Sequence, residues 1–414
     1  MSDPHHAPDG TTARSLAHSP TATLRLFDVP ELIVALARVK HAAARANHEN
    51  GLLPSTVAEP IEGAAQRFAD GHDHDAFCLP VIAAGGGTAT NMNANEAIAA
   101  AARAGGVEVH PNDHVNLSQS SNDVYPTALK LALHPIAVAA ADELARLAAT
   151  FRIKAEEYAS ATRLGRTVWQ DAVLVPIRDT HLGQAAAMQR LSDGLRTAAR
   201  RLLAVQLGGT VLGTRAGSSQ DFAERALGHL AGSTGLDLRP SESLTDAFAH
   251  SDVFSEVADA VARAGAVLHK IGQDLRVLSS GPVGGLRELT LPSIQPGSSI
   301  MPGKVNPVIP NMVIQASFGI RSASYAVSMA VAAGEPDINV NGPAVTASLY
   351  PALHALRENT AILNDHCVAG MVWNLDRLEE FKAGSYEDLM ELARARGYDT
   401  ASRSASTRGV SADA

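Results

Sequence analysis

A mainly α-helical protein with a central bundle of long helices is the fold class this sequence predicts, on three observations. Aromatic residues make up only 4% of the 414 residues and alanine is abundant. Small side chains with few rings favour close helix–helix packing over stacked sheets. Val253, Val257, Val261, Ala264, Leu268, Ile271, Leu275 and Leu278 recur at steps of four and three, the seam of a long packed helix. Alternating β-branched runs are few. The length exceeds one ordinary core, so two or three domains are expected, and 46% hydrophobic residues suffice for a large interior.

Residues 1–20 are polar and rich in Pro, Gly, His and Ser, and read as a disordered tail. His5 and His6 belong to that tail. Pro30 opens a helix carrying Leu32, Val34, Ala37 and Val39, which Gly51 ends. A second helix follows near Ser55 to Ala69. Gly71-His72-Asp73-His74-Asp75 reads as a solvated turn, because alternation within a turn is poor metal-ligand geometry. After three glycines, Thr88 heads a helix running through Ala104, where the helix dipole favours an anion. Ser120, Ser121 and Asn122 precede Pro126, which is read as the start of a long helix to about Ala161, kinked at Pro135. Hydroxyls and an amide before a helix start suit a carboxylate, whereas an ordinary cap needs only one such residue. Further helices are expected from Asp252 to Leu278, from Pro310 to Ala333 and over 344–370. One or two more are expected from Leu375 to Gly397, and Tyr398 to Ala414 reads as disordered.

The formal charge is −9, from 34 basic and 43 acidic residues, and no basic stripe appears. Nucleic acid is therefore not an expected partner, although a local cationic site can still take a dianion. Cys78 and Cys367 lie far apart without metal-ligand spacing and read as buried free thiols of a reducing compartment. The start MSDPHHAPDG lacks the regions of a signal peptide, and no run of 18 apolar residues occurs. The expectation is a cytoplasmic protein with no membrane partner.

Between two helical stretches lies Gly297-Ser298-Ser299-Ile300-Met301-Pro302-Gly303-Lys304-Val305-Asn306-Pro307. Its glycines and prolines exclude a helix interior or central strand. Its polar groups alternate with Ile300, Met301 and Val305, which a loop closing over a pocket would use to exclude water. This stretch resembles the signature loop of the fumarase/aspartase superfamily at almost every residue. The flanks Leu278 to Pro282 and Leu291 to Pro296 look more like aspartases than fumarases. Gly85 to Glu96, Val115 to Thr127, Gly165 to Ala172 and Gly208 to Thr214 resemble further family blocks, and the likeness covers roughly Thr23 to Asn374. Thr23-Leu24-Arg25 resembles a short N-terminal family segment near the substrate.

The resemblance implies a three-domain fumarase/aspartase-like fold divided at 1–20, 21–124, 125–374 and 375–414, with a shortened C-terminal domain. It implies a homotetramer whose sites are each shared by three subunits, acting on a small dicarboxylate without metal or organic cofactor. The implied reaction is anti elimination from a 2-substituted succinate to give fumarate. Ser298 is the implied base, its alkoxide favoured by backbone N–H groups and the cation of Lys304. Thr88, Ser120, Ser121, Asn122, Thr167 and Ser299 would bind the substrate and its doubly charged carboxylate, with Asn306 and Lys304 on the other carboxylate.

The sequence departs from the family in several places. Val168 stands where most members carry His, and Asn311 where fumarases carry its Glu partner. Without that acid a hydroxide leaves poorly, whereas ammonia or nitrite leaves readily. Arg215 replaces a usual glycine, and Arg178 lies in a lengthened stretch. Either would add charge to the pocket or form a surface pair. An aspartase-like carbon–nitrogen lyase is thus expected. The alternatives are a nitrosuccinate-type lyase, a class II fumarase and an inactive structural relative.

Overall fold

The computed structural model describes residues 10–20, 23–83, 85–295, 297 and 300–406. Among them are fourteen α-helices and six short strands. The helices are α1 (Gly10–Ala17), α2 (Pro30–Glu49), α3 (Ser55–Ala69), α4 (Thr88–Arg103), α5 (Ser121–Glu157), α6 (Ile177–Arg201) and α7 (Gln220–Thr234). They continue as α8 (Leu244–Ala249), α9 (Asp252–Leu278), α10 (Val308–Ala332), α11 (Gly342–Leu363), α12 (Leu375–Lys382), α13 (Glu387–Arg396) and α14 (Tyr398–Ser406). The strands form three two-stranded sheets: β1 (Thr162–Thr167) with β2 (Gln170–Pro176), β3 (Ala204–Val205) with β4 (Arg239–Pro240), and β5 (Leu289–Thr290) with β6 (Val372–Trp373).

The chain divides into two compact units. The first comprises Met1–Ala141, Ser192–Gly265 and Ser317–Arg357, and the second Asp142–Leu191, Ala266–Ala316 and Glu358–Ala414.

In the first unit, α2 buries Leu32, Ile33, Leu36, Val39 and Ala43 and packs against α3 and α7. Pro30 opens α2 because its fixed φ suits a first helical position and its missing N–H would have had no partner there. The lead-in is ordered sooner than its composition suggests. The N–H groups of Thr11 and Thr12, at the start of α1, donate to the Glu96 carboxylate of α4 at 2.8 and 2.9 Å. A carboxylate at a helix N-terminus satisfies the orphan donors and the dipole together. Residues 10–17 are therefore helix rather than disordered tail, and residues 1–9, with His5 and His6, lie outside the described residues.

The long-helix seam takes its expected place. Val257, Val261, Ala264, Leu268, Ile271 and Leu275 of α9 are buried, and only Val253 and Leu278 at its ends are half-buried. Glycines let α10 approach closely. A Cβ on Gly265 would lie 2.8 Å from Ile320 in the first unit, and one on Gly272 3.0 Å from Ile314 in the second. Helix α5 runs 37 residues, about 56 Å at the usual rise. It is long and apolar enough to cross a membrane by composition, and most of that stretch is buried inside the protein.

In the second unit, α12 packs on β1, and α13 on α14. The Phe381 ring of α12 lies under two guanidinium groups, Arg377 at 4.1 Å and Arg166 at 5.4 Å. Tyr398–Ser406 is helix α14 rather than disordered, and residues 407–414 lie outside the described residues. The residues expected to form helices beyond 374 do so as α12 and α13.

Candidate active site

The first unit carries Thr88, Ser120, Ser121, Asn122 and Arg215 of the anticipated site, and the second carries Thr167, Lys304 and Asn306. Ser298 and Ser299 lie outside the described residues.

Thr88 is the first residue of α4 and is exposed. Gly87 before it has φ +100°, and an added Cβ would meet the Tyr125 ring of α5 at 2.9 Å. Only glycine provides both the left-handed turn and that approach. Tyr125 in turn bonds Thr346 of α11 at 2.9 Å.

The second motif differs from the sequence expectation in one respect. Helix α5 begins at Ser121, not Pro126, so Ser121 and Asn122 sit in its first turn. The cause is a capping box. Ser120 Oγ accepts from the Asn122 N–H at 3.2 Å, and Asp123 Oδ1 accepts from the Ser120 N–H at 2.9 Å. Asp123 Oδ2 accepts two further N–H groups, from Gly208 and Thr210, at 3.0 Å each. The glycine-rich block at 208–214 is thereby tied to the base of the Ser-Ser-Asn turn. Burial pushes the Asp123 carboxyl up to about 6, against the pull of those N–H groups and of Lys40.

Asn91, one turn into α4, links the first two motifs. Its Nδ2 donates to Ser121 Oγ and to Asn116 Oδ1, at 3.1 Å each. Asn116 Oδ1 also accepts from Lys40 Nζ at 2.9 Å. Lys40 is completely buried, and desolvation pushes its ammonium down to about 7 while the Asp123 charge opposes the fall. Sequence reading gave no role to Lys40, Asn91, Asn116 or Asp123. Two signals were present: the Ser-x-x-Asp box at 120–123, and a lysine four residues after Leu36 on the apolar side of α2.

Arg215 is half-buried at φ +59°, its N–H on the Gly209 carbonyl, and its side chain forms no ion pair among the described residues. Arg178 does form one, with Glu156 at 3.1 Å, both side chains being exposed. Of the two readings of Arg178, the surface pair is the one observed.

In the second unit, β1 and β2 form a hairpin whose two-residue turn is Val168-Trp169, at φ +50° and +65°. Thr167 ends β1, exposed, immediately before the turn. Turns of this kind ordinarily take Asn-Gly, and a β-branched residue at positive φ is strained. Both side chains face outward, Val168 94% and Trp169 69% exposed. Arg166 anchors the hairpin through an ion pair with the fully buried Glu288. Beneath it is a cavity of about 580 Å³ lined by Val168, Trp169, Arg163, His181, Lys270 and Trp373 among others. His181 is not a free acid. Its Nδ1 lies 2.9 Å from Gln184 Oε1, and its Nε2 accepts from Trp373 Nε1 at 2.9 Å. Burial lowers its affinity for a second proton.

The signature loop joins β5 to α10. A Cβ on Gly297 would fall 1.9 Å from the Lys304 carbonyl oxygen, so glycine is obligatory where the two ends of the loop meet. Asn306 Nδ2 donates to the Gly297 carbonyl across the same closure. Lys304 is exposed and forms no ion pair among the described residues, and Ile300, Met301 and Val305 are exposed beside it. Asn306 and Asn311 line a second cavity of about 720 Å³ with Arg276, Gln315 and Glu358. Arg276 and Glu358 were given no role from sequence, since nothing local marks α9 and α11 residues as neighbours of the loop.

A lyase family profile matches residues 17–321. The chain is 37% identical over 407 residues to an aspartate ammonia-lyase of Pseudomonas aeruginosa, covering 96% of this chain and 85% of that protein. It is also 37% identical over 371 residues to a class II fumarate hydratase of Mycobacterium tuberculosis, covering 89% and 78%. Among solved structures, a fumarate lyase:delta crystallin from Brucella melitensis superposes with a TM-score of 0.92 at 36% identity, covering 97% of this chain and 89% of that one. A class II fumarase from Schistosoma mansoni gives 0.90 at 30% identity, covering 95% and 87%.

Proposed function

Since the chain belongs to the fumarase/aspartase superfamily of lyases, we propose that it is a carbon–nitrogen lyase that releases fumarate from aspartate or a close 2-amino analogue. Equal identity to an aspartate ammonia-lyase and to a fumarate hydratase leaves the leaving group to the pocket's own chemistry. The observation that carries the reading is the hairpin tip. Beside Thr167 stands an apolar Val168, and the imidazole in the cavity beneath it is engaged at both nitrogens. A departing hydroxide needs a proton at that point, whereas an amine that enters as ammonium leaves as neutral ammonia without one.

In this reading Ser298 as alkoxide takes the C3 proton. The C–H electron pair moves into the adjacent carboxylate, which then carries two negative charges. Thr88, Ser120, Ser121 and Asn122 meet that charge with fixed donors, and Ser299 and Thr167 add to them. Lys304 and Asn306 hold the other carboxylate. The electrons then return to form the C2–C3 double bond as the C–N bond breaks. Arg215, half-buried and without an ion pair among the described residues, is a cation available to a substituent on nitrogen or to a nitro group, so nitrosuccinate is the analogue to test beside aspartate.

A fumarase remains the second reading, because Glu358 shares a cavity with Asn306 and Asn311 and is a carboxyl able to act as a relocated acid. The test is a panel of aspartate, N-substituted aspartates, nitrosuccinate and malate, followed by fumarate absorbance. Aspartate or an analogue should exceed malate. Val168→His with Asn311→Glu should then raise malate turnover relative to aspartate. Faster hydration than amination of fumarate, lost in Glu358→Gln, would replace this reading with the fumarase.

A further inference from the structure

Lys40, Asn116, Asn91 and Ser121 form one hydrogen-bonded chain inside the first unit, running from a fully buried ammonium to the Ser-Ser-Asn turn. Its direction is fixed by chemistry. An ammonium only donates, so the Asn116 atom facing Lys40 must be the carbonyl oxygen. The Asn116 amide nitrogen is held on the other side by the Gln119 carbonyl at 3.2 Å. A carbonyl facing Asn91 requires Asn91 to present its NH2 group. That same NH2 reaches Ser121 Oγ, so the serine oxygen accepts from the protein and keeps its own proton to donate elsewhere.

The opposite orientation of Asn91 has an attraction of its own. Asn91 Oδ1 is buried with no hydrogen-bond partner among the described residues. Turning the amide over would let Ser121 donate inward and would satisfy that oxygen. It would also set two carbonyl oxygens against each other at Asn116. With the lysine holding Asn116 Oδ1 in place, the orphaned oxygen is tolerated and the serine proton stays outward.

We propose that Lys40 is a positioning residue for the elimination: through Asn116 and Asn91 it sets Ser121 as a hydrogen-bond donor toward the substrate carboxylate. The proposal rests on the fumarate-forming reading above, in which Ser121 faces that carboxylate. Its effect falls on turnover more than on substrate affinity, because the carboxylate gains its second charge only as the proton leaves. Asp123 holds the start of the same helix by three backbone N–H groups and does not depend on Lys40 for its hydrogen bonds.

A double-mutant cycle tests it, with steady-state kinetics on the best substrate of the panel and melting curves as a check of fold. Ser121→Ala should lower kcat about a hundredfold, the usual effect of losing one donor to a developing oxyanion. Lys40→Met and Asn116→Leu should each lower kcat about tenfold or more with KM little changed, as for loss of a charged hydrogen bond. On a Ser121→Ala background either change should cost less than about twofold, since the relay then has nothing to orient. Additive losses would mean that Lys40 acts as packing or as a general field, and the proposal fails. Should Lys40→Met not fold, the Asn116→Leu arm, which keeps the lysine, decides the question alone. A wild-type enzyme inert toward the whole panel overturns the functional reading and the relay together. An active wild type with additive losses overturns the relay only.

Discussion

A lysine ammonium with no solvent exposure is held by one carboxamide oxygen, with a buried carboxylate as its electrostatic partner. The desolvation penalty of such a charge ordinarily exceeds what one hydrogen bond returns. Asp123 keeps three N–H donors whether or not the lysine is present, so removing the lysine does not orphan it. Lys40→Met is therefore predicted to stabilise the fold, because desolvation outweighs the attraction of Asp123 for this ammonium and Asp123 keeps its own donors. The gain depends on pH. The unfolded chain holds the lysine proton up to its ordinary value of 10.5, while the folded chain releases it at about 7. Between those values the unfolded state binds more protons, so the wild-type penalty fades as pH rises. The melting-temperature advantage of the mutant should thus be full below pH 7 and vanish toward pH 10. An advantage that grew with pH would show that the fold holds the lysine proton more firmly than the unfolded chain does, the opposite of a desolvated charge. Stability gained with activity lost is the signature expected of a functional residue. Ser298→Ala makes the complementary case. It should lower turnover by at least about a hundredfold, the general-base range. Succinate binding, measured by calorimetry, should survive because a loop hydroxyl carries little packing energy. A mutant that kept more of its rate would need a different base.

At the scale of elements, the hairpin of β1 and β2 shows where local sequence preference is overruled. Its turn places Val168 and Trp169 at positive φ, where Asn and Gly are ordinarily found. The conformation is held from its base: Arg166 pairs with the buried Glu288 and lies over Phe381 of α12, while the Tyr386 N–H bonds the Ala172 carbonyl and Glu387 accepts from the Leu174 N–H. Strain maintained at an exposed, apolar tip suggests that the tip has a use other than stability. Val168→Asn with Trp169→Gly is predicted to raise the unfolding free energy by at most about 1–3 kcal/mol for each relieved residue, read as a higher melting temperature. The same change should lower turnover, because Thr167 would be carried on a less determined turn. A double mutant of unchanged activity would reduce the tip to a packing feature. The signature loop follows the opposite rule. There Gly297, Gly303 and Pro302 suit the backbone they occupy, and the closure of Gly297 on Lys304 leaves no space for any side chain.

At the scale of the whole molecule, α10 carries Phe318, Tyr325 and Met329 along one stripe, and all three are exposed. Large apolar side chains left uncovered on a long helix mark a surface that another chain buries. We take this stripe as support for a homotetramer in which the Thr88 and Ser120 regions, the Thr167 hairpin and the signature loop of one site come from different subunits. Mixing a Ser298→Ala protein with a Thr167→Ala protein under dissociating conditions, then reassembling them, should restore a fraction of wild-type activity from sites that received only intact segments. Each mutant alone should remain inactive. A sedimenting monomer with full activity would end this picture.

The sequence by itself determined the helical class, the α9 seam and the positions of the family motifs, because these are local. Periodicity, glycine and proline placement and capping chemistry act within a turn or two of chain. Composition at the chain ends misled where a distant partner decides: α1 exists because Glu96, 85 residues away, takes its N-terminal N–H. The tertiary structure alone decided that Lys40 meets Asn116 across 76 residues, that Asn91 meets Ser121 across 30, and that Arg178 is occupied by Glu156. A hydrogen-bond partner far along the chain leaves no periodic trace. It is selected by the packing of whole helices, and only once those helices are in place does a lysine in an alanine-rich stretch become a buried charge linked to the Ser-Ser-Asn turn.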